Sequence, residues 1–520
     1  MKYRSIFLLL SLFFLWVLFE ARQFRLSSGE ENEQAVYLCA HEALTLDPSR
    51  AYDYASIRVT ANLYEGLVKS RPDSAEIEPC LAKAWEISAD GLTWTFRLRP
   101  GVTFHDGTPL DAQAVKFNVE RLLNSKDAPA TGQLAYGMVE SVEAVDGLTV
   151  RFKLKFPYAP FLNNLAAFFA APVVSPEDLK KSGGGTETAL AGTGPFLLEK
   201  WDRGKEITLK ANPAYWGTKP ALKRIVFRTE RDPQKRVRLL LSKKADIIDA
   251  EPEDIPSLEA KGCRIWRVAG PDISYLGFYT NKKPFSDSAV RLAACRAIDQ
   301  EHLVNGVLKS KAVLARGPLP PGILGYDETL RQPSRDLEEA RRLLAGADYP
   351  RGLSITIITY AGERPYNPAG GEALARAVAE QLSGAGFQVR VSAYPWEEFK
   401  KALSRQEGDA FLYGWTADNR DPDNFLFTLF SSAQISTGLN ATRYSRQKVD
   451  TLLITAQRTL DPGLRARLYQ DVINELRQDV PAFFINHSLF VLAAAPALQN
   501  LTVLPGGVPL FQNAKKKMHN

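Results

Sequence analysis

Two side chains of opposite charge, far apart in the chain, follow apolar runs of similar kind. Asp418 ends the stretch Tyr413-Gly414-Trp415-Thr416-Ala417-Asp418, directly behind Ala410-Phe411-Leu412-Tyr413. Arg364 lies just beyond the run Ser354-Ile355-Thr356-Ile357-Ile358-Thr359-Tyr360. A carboxylate and a guanidinium can each hold a charged group of a ligand through charge-assisted hydrogen bonds, and Arg can do so with two parallel bonds. The Asp and Asn residues from 418 to 424 suit a plain turn equally well, because such side chains bond their own backbone. Tyr366, Tyr413 and Trp415 could line side-chain pockets with their apolar faces or simply pack in the core.

The elements that carry these residues decide whether they meet. The runs 354–360 and 410–415 read as buried strands. Between them, Leu374, Val378 and Leu382 recur at helical spacing, Gly384 and Gly386 stop that helix, and Phe387-Gln388-Val389-Arg390-Val391 is a further strand. Strand, helix and strand at this spacing form a right-handed parallel pair. Another helix around 397–403 leads into the strand ending at Trp415. In a parallel sheet the carboxyl ends open on one edge, where α/β folds place their ligands. Arg364 and Asp418 are therefore expected to face one crevice.

The rest of the 520 residues bounds what such a crevice can serve. Length alone implies more than one core. The net charge of +6 is small, and no basic block is interleaved with aromatics, which speaks against nucleic acid. Lys2 and Arg4 precede an apolar run from 6 to 19, the layout of a secretory signal and short for a membrane span. No small-x-small cleavage site follows, so residues 1–29 are a signal peptide or a retained N-terminal anchor. The body of the chain is exported either way. An oxidising compartment permits disulfides, and Cys39, Cys80, Cys263 and Cys295 allow three pairings. Cys80 is read as preceding a helix, and Cys295 among alanines as a buried apolar residue. No spacing of Cys or His suits a metal. Gly192-Thr193-Gly194-Pro195 lacks the Lys and the following helix of a phosphate loop and reads as a turn. Neither a nucleophile elbow nor a zinc-binding helix is present, so the chain reads as a non-enzyme that needs no cofactor.

Other elements are legible in order. Thr93 to Arg99 alternates, with Trp94, Phe96 and Leu98 on one face, and Val150, Phe152 and Leu154 do the same after an Asp-Gly turn. Asp111, Asp287, Asp336 and Asp461 stand where helix N-caps belong. The block from about 65 to 189 is antiparallel and ends in the flexible Ser182-Gly183-Gly184-Gly185. After Pro271 the pattern changes to alternating strand and helix.

Several stretches resemble one family, the large extracytoplasmic solute-binding proteins of peptide ABC importers. They are Leu81 to Val102, Phe104-His105-Asp106-Gly107, Gly192-Thr193-Gly194-Pro195-Phe196, Asn212-Pro213-Ala214-Tyr215-Trp216 and Ala297-Ile298-Asp299. Arg364-Pro365-Tyr366-Asn367-Pro368, and Gly414 to Asn419 with Asp421-Pro422-Asp423-Asn424-Phe425, are similar to motifs of its dipeptide-binding members. The resemblance implies an α/β, two-lobed periplasmic-binding-protein-like (type II) fold with a hinge and an inserted subdomain. Lobe I would take 34–64, 190–271 and 489–514, the subdomain 65–189, and lobe II 272–488. It implies a peptide ligand whose carboxylate pairs with Arg364 and whose α-ammonium pairs with Asp418. Gly414, Tyr413, Trp415 and Tyr366 would form the surrounding site, with Asp421 and Asp423 left to turn formation. It further implies a Cys39–Cys263 disulfide, a permease partner, a monomeric carrier and a periplasmic location. Haem, glutathione or a metal chelate on the same fold, and a membrane-tethered peptide sensor, are the alternatives.

Overall fold

The computed structural model describes residues 33–72, 76–124, 130–167, 171–181, 190–417 and 419–517. Asp418, the N-terminal segment 1–29 and the glycine loop 182–185 lie outside the described residues.

One sheet of 12 strands runs through the molecule. At one end it is ordered Phe387–Tyr394, Leu353–Tyr360, Ala410–Thr416, Asp272–Phe278, and then the long Ala482–Ala494. Beyond that strand it continues through Ile247–Asp249, Gln34–Cys39, Arg224–Thr229, Glu206–Ala211 and Phe196–Asp202. Both ends curl around their own cores, which gives two lobes. The parallel pairing of 353–360 with 387–394 and with 410–416 meets the sequence expectation.

The lobes are joined by a ribbon. Arg264–Ala269 pairs antiparallel with residues 489–494, and Asp272–Phe278 with residues 482–486 of the same strand, with the register shifting near Ser274. Residues 270–271 link the two strands of the ribbon, and 486–489 link the two halves of the long strand that pairs with them. Gly270 is required there, since a Cβ would meet the Ser488 Oγ.

Residues 67–191 enclose a separate core. Its sheet is ordered Ala82–Ile87, Thr93–Leu98, Thr149–Leu154, Val139–Asp146. Trp94, Phe96 and Leu98 are buried against Val150, Phe152 and Leu154, as their alternation requires. The short helix Phe161–Leu165 is anchored by Phe161, whose ring meets Trp94 at 5.5 Å and Phe152 at 5.4 Å. The expected caps form: Asp111 accepts from Ala114 N–H, Asp287 from Ala289, Asp336 from Glu339 and Asp461 from Leu464.

Two expectations fail. Cys80 leads into the strand Ala82–Ile87 rather than a helix, because that segment pairs with 94–98. Cys39 and Cys263 are not bonded, and all four cysteines are free and buried. The strands Ile247–Asp249 and Ala482–Ala494 separate Gln34–Cys39 from the strand that follows Cys263. Three strand spacings come to about 14 Å, twice the roughly 7 Å that a disulfide tolerates between Cα atoms.

Candidate ligand cleft

The site is built at the carboxyl ends of the parallel strands Leu353–Tyr360 and Ala410–Thr416. Their register, Ile357 with Ala410 and Ile358 with Phe411, brings the loop 361–370 and residues 419–422 out on one edge. The first loop is closed on itself: Arg364 and Asn367 exchange backbone hydrogen bonds of 3.1 and 2.8 Å. Asn367 is fully buried and donates to the Tyr360 hydroxyl. Asn486, on the hinge ribbon, donates to the Tyr366 carbonyl at 2.9 Å. The arginine loop is thereby tied to both the sheet and the hinge.

Arg364 itself is half-buried. Its guanidinium carbon lies 3.5 Å from the centroid of the Trp396 ring, a close cation–π contact. Its Nε is buried without a hydrogen-bond partner, and among the described residues Arg364 forms no ion pair. Trp396 packs edge-on to Tyr360, with Tyr413 6.1 Å away. Burial raises the Tyr413 phenol above its ordinary range while nearby Arg364 opposes the shift. Tyr366 packs over Gly414, where a Cβ would come within 2.3 Å of the ring. Trp415 Nε1 donates to Asn424 Oδ1 at 2.9 Å, which fastens the strand end to the helix Asp423–Phe430.

The structure thus brings Arg364, Tyr366, Tyr413 and Gly414 together and ties Trp415 to the following helix. A cavity of about 270 Å³ opens between the lobes past the end of the 410–416 strand, and neither Arg364 nor Gly414 lines it. Thr416, Ala417, Asn419 and Arg420 line it from lobe II, with Asn163 and Ala166 from the subdomain. Tyr54, Ile57, Leu504 and Val508 close it from the other side. None of the aromatic residues expected to line pockets borders this cavity. The residues that do come from separate stretches of the chain, 52–57 and 504–508 among them. The only local sign of them is the Asp47-Pro48 turn, followed by tyrosines 52 and 54.

The hinge beside the cavity is polar and buried. Asp272 is fully buried; its carboxylate accepts from the Ser488 backbone N–H at 2.8 Å and from the Ser488 hydroxyl. Burial pushes that carboxyl up to about 6. His487 Nδ1 donates to the Asp272 carbonyl, leaving Nε2 buried and unpartnered, and burial pushes the imidazole down to about 4. Ser274 Oγ, Tyr366 OH and Asn486 Oδ1 are likewise buried without partners. Polar groups collected in this way can hold a polar ligand by hydrogen bonds; no nucleophile–base pair is assembled among them. Among the described residues no group of three or more His, Cys, Asp or Glu is placed to hold a metal ion.

A two-lobed α/β fold hinged by a strand ribbon, with a cavity between the lobes, defines a solute-binding protein. The chain belongs to the bacterial extracellular solute-binding proteins, family 5, whose middle region matches residues 76–437. It is 32% identical over 489 residues to the dipeptide-binding protein of Escherichia coli (strain K12), covering 89% of this chain and 90% of that one. Among solved structures, HbpA2 from Haemophilus parasuis superposes with a TM-score of 0.86 at 30% identity, over 93% of this chain and 100% of that one. The dipeptide binding protein from Pseudoalteromonas sp. SM9913, in complex with Met-Leu, gives 0.75 at 28% identity over 93% and 100%. Among the described residues no helix is long and apolar enough to cross a membrane.

Proposed function

We propose that this chain captures di- and tripeptides outside the cytoplasmic membrane and delivers them to the permease of an ABC importer. The observation that carries the reading is Arg364: a guanidinium held on Trp396, with a buried Nε left without a partner, at the sheet edge that borders the cleft. A peptide is a zwitterion, and enclosing it strips water from both ends, which is prohibitive unless each charge is paired. Arg364 takes the carboxylate. Asp418, between the cavity-lining Ala417 and Asn419, takes the α-ammonium. Tyr366, Tyr413, Gly414 and Trp415 shape and brace the site around them.

Lobe I comprises 34–64, 190–271 and 489–514, the inserted subdomain 65–189, and lobe II 272–488. Residues 1–29 export the chain or hold it at the membrane, and the carrier acts as a monomer. Native mass spectrometry of protein purified without denaturation, followed by calorimetry with a free dipeptide, tests the reading. Co-purified peptide masses and saturable heat support it; the absence of both overturns it.

A further inference from the structure

The turn 421–423 does far more than reverse the chain. Asp421 is fully buried and its carboxylate accepts two hydrogen bonds from Arg465, at 2.6 and 2.7 Å, and one from the Asp423 backbone N–H. The guanidinium is completed by the Ala456 carbonyl and the Tyr469 hydroxyl. This rigid lobe II platform meets the inserted subdomain. Asn163 Nδ2 donates to Asp421 Oδ2 at 2.6 Å, Tyr158 OH to Asp423 Oδ2 at 3.1 Å, and Ala159 N–H to the Gln457 carbonyl at 2.6 Å. Gln457 Nε2 also donates to Asp423 Oδ2. On the subdomain side, Phe161 locks the same segment into the core around Trp94 and Phe152. The bonds from Asn163, Tyr158 and Ala159 join two bodies that the hinge ribbon allows to part.

We propose that the Asp421-Pro422-Asp423 turn is a closure latch: the subdomain segment 158–164 docks on it when the lobes close, and a proton on Asp423 strengthens the docking. Asp423 Oδ2 has two donors, whereas Oδ1 is buried with none, so Oδ1 is where the proton resides. The groups facing Asp423 are Asp421 and Arg465 on the platform, Tyr469 behind it and Tyr158 from the subdomain. Burial first, then the Asp421 charge, pushes the carboxyl up to about 7, with Arg465 opposing. Opening the cleft rehydrates it and lets it fall toward the ordinary carboxylate range, near 3.9. Closing therefore takes up a proton, and closure weakens as pH rises through 7.

Amide hydrogen exchange at Ala159 reads the latch in the free protein, whatever the ligand proves to be. Tyr158→Phe removes one crossing hydrogen bond and is expected to speed that exchange roughly 3- to 10-fold relative to wild type at the same pH. Asp423→Asn, a fixed mimic of the protonated carboxyl, is expected to act the opposite way. It slows exchange at pH 8, matches wild type at pH 5.5, and flattens the pH dependence that wild-type protection, exchange relative to the intrinsic rate, shows between them. Melting temperatures of both variants check that the fold is kept. Unchanged Ala159 exchange in Tyr158→Phe, or a wild-type pH profile in Asp423→Asn, overturns the latch.

Discussion

Tyr366 packs directly over Gly414, so closely that a methyl group on that α-carbon would stand 2.3 Å from the ring. The arginine loop and the 410–416 strand therefore meet with no room to spare. Gly414→Ala must displace the tyrosine, and the loop of Arg364 with it. Overpacking of this kind costs about 1–3 kcal/mol. The expected result is a lower melting temperature together with weaker peptide binding; calorimetry showing wild-type affinity would mean that the loop's position does not matter to the ligand.

Arg364 should matter to the ligand much more than to the fold. It is half-buried, and its neighbour Trp396 keeps its contacts with Tyr360 and Phe399 without it. Arg364→Ala is expected to weaken dipeptide binding by about 2–5 kcal/mol, because a buried carboxylate is left unpaired, with little change in melting temperature. Arg364→Lys keeps the charge but loses the planar fork, and should recover part of the loss. Unchanged affinity in the alanine variant, measured by titration calorimetry, removes Arg364 from the site.

What the sequence revealed and what it hid divide along contact range. The strand alternation around Trp94, the helix caps and the parallel pairing of 354–360 with 387–391 all rest on neighbours or on one crossover unit. The platform does not. Asp421 looked like a turn former because its true partners are Arg465, 44 residues on, and Asn163, 258 residues back. The Cys39–Cys263 pairing failed for the same reason, since two strands drawn from elsewhere in the chain lie between them. Tyr54 and Val508, from opposite ends of the chain, share a cavity wall that no local pattern announces.

The hinge makes a prediction with two opposed signs. Asp272 is raised to about 6, above its unfolded value, so its contribution to stability is present at low pH and lost as pH rises toward 6. His487 is depressed to about 4, so its contribution is present above roughly 6.5 and lost as pH falls toward 4. Between pH 4 and 6 the two largely cancel. Relative to wild type, the melting temperature of Asp272→Asn should therefore climb over that window, and that of His487→Gln should fall. Parallel profiles for all three proteins would show that neither group titrates with folding.

Breaking the Asp421–Arg465 pair should destabilise the whole of lobe II's edge. Its side chains are 0% and 5% exposed. Removing one partner of such a pair leaves an uncompensated buried charge and costs about 3–5 kcal/mol, whereas replacing both with apolar residues is far milder. Arg465→Met is expected to lower unfolding stability by that amount, and Asp421→Leu with Arg465→Met to restore much of it. Urea denaturation measures both. Additive losses in the double variant would show that the two residues are not energetically coupled.

The ammonium role of Asp418 is tested most directly on the ligand. An N-acetylated dipeptide keeps its carboxylate and its side chains but offers Asp418 no cation. A carboxylate facing an acetyl group is desolvated without compensation, so the acetylated ligand should bind at least about tenfold more weakly than the free one, in line with the roughly 1.5–3 kcal/mol of a hydrogen bond to a charged group. Asp418→Asn should narrow that gap by weakening the free dipeptide while leaving the acetylated one nearly unchanged. The two changes form a cycle, so the coupling between them belongs to this one contact. Equal binding of free and acetylated dipeptide to the wild-type protein would assign the ammonium to another residue.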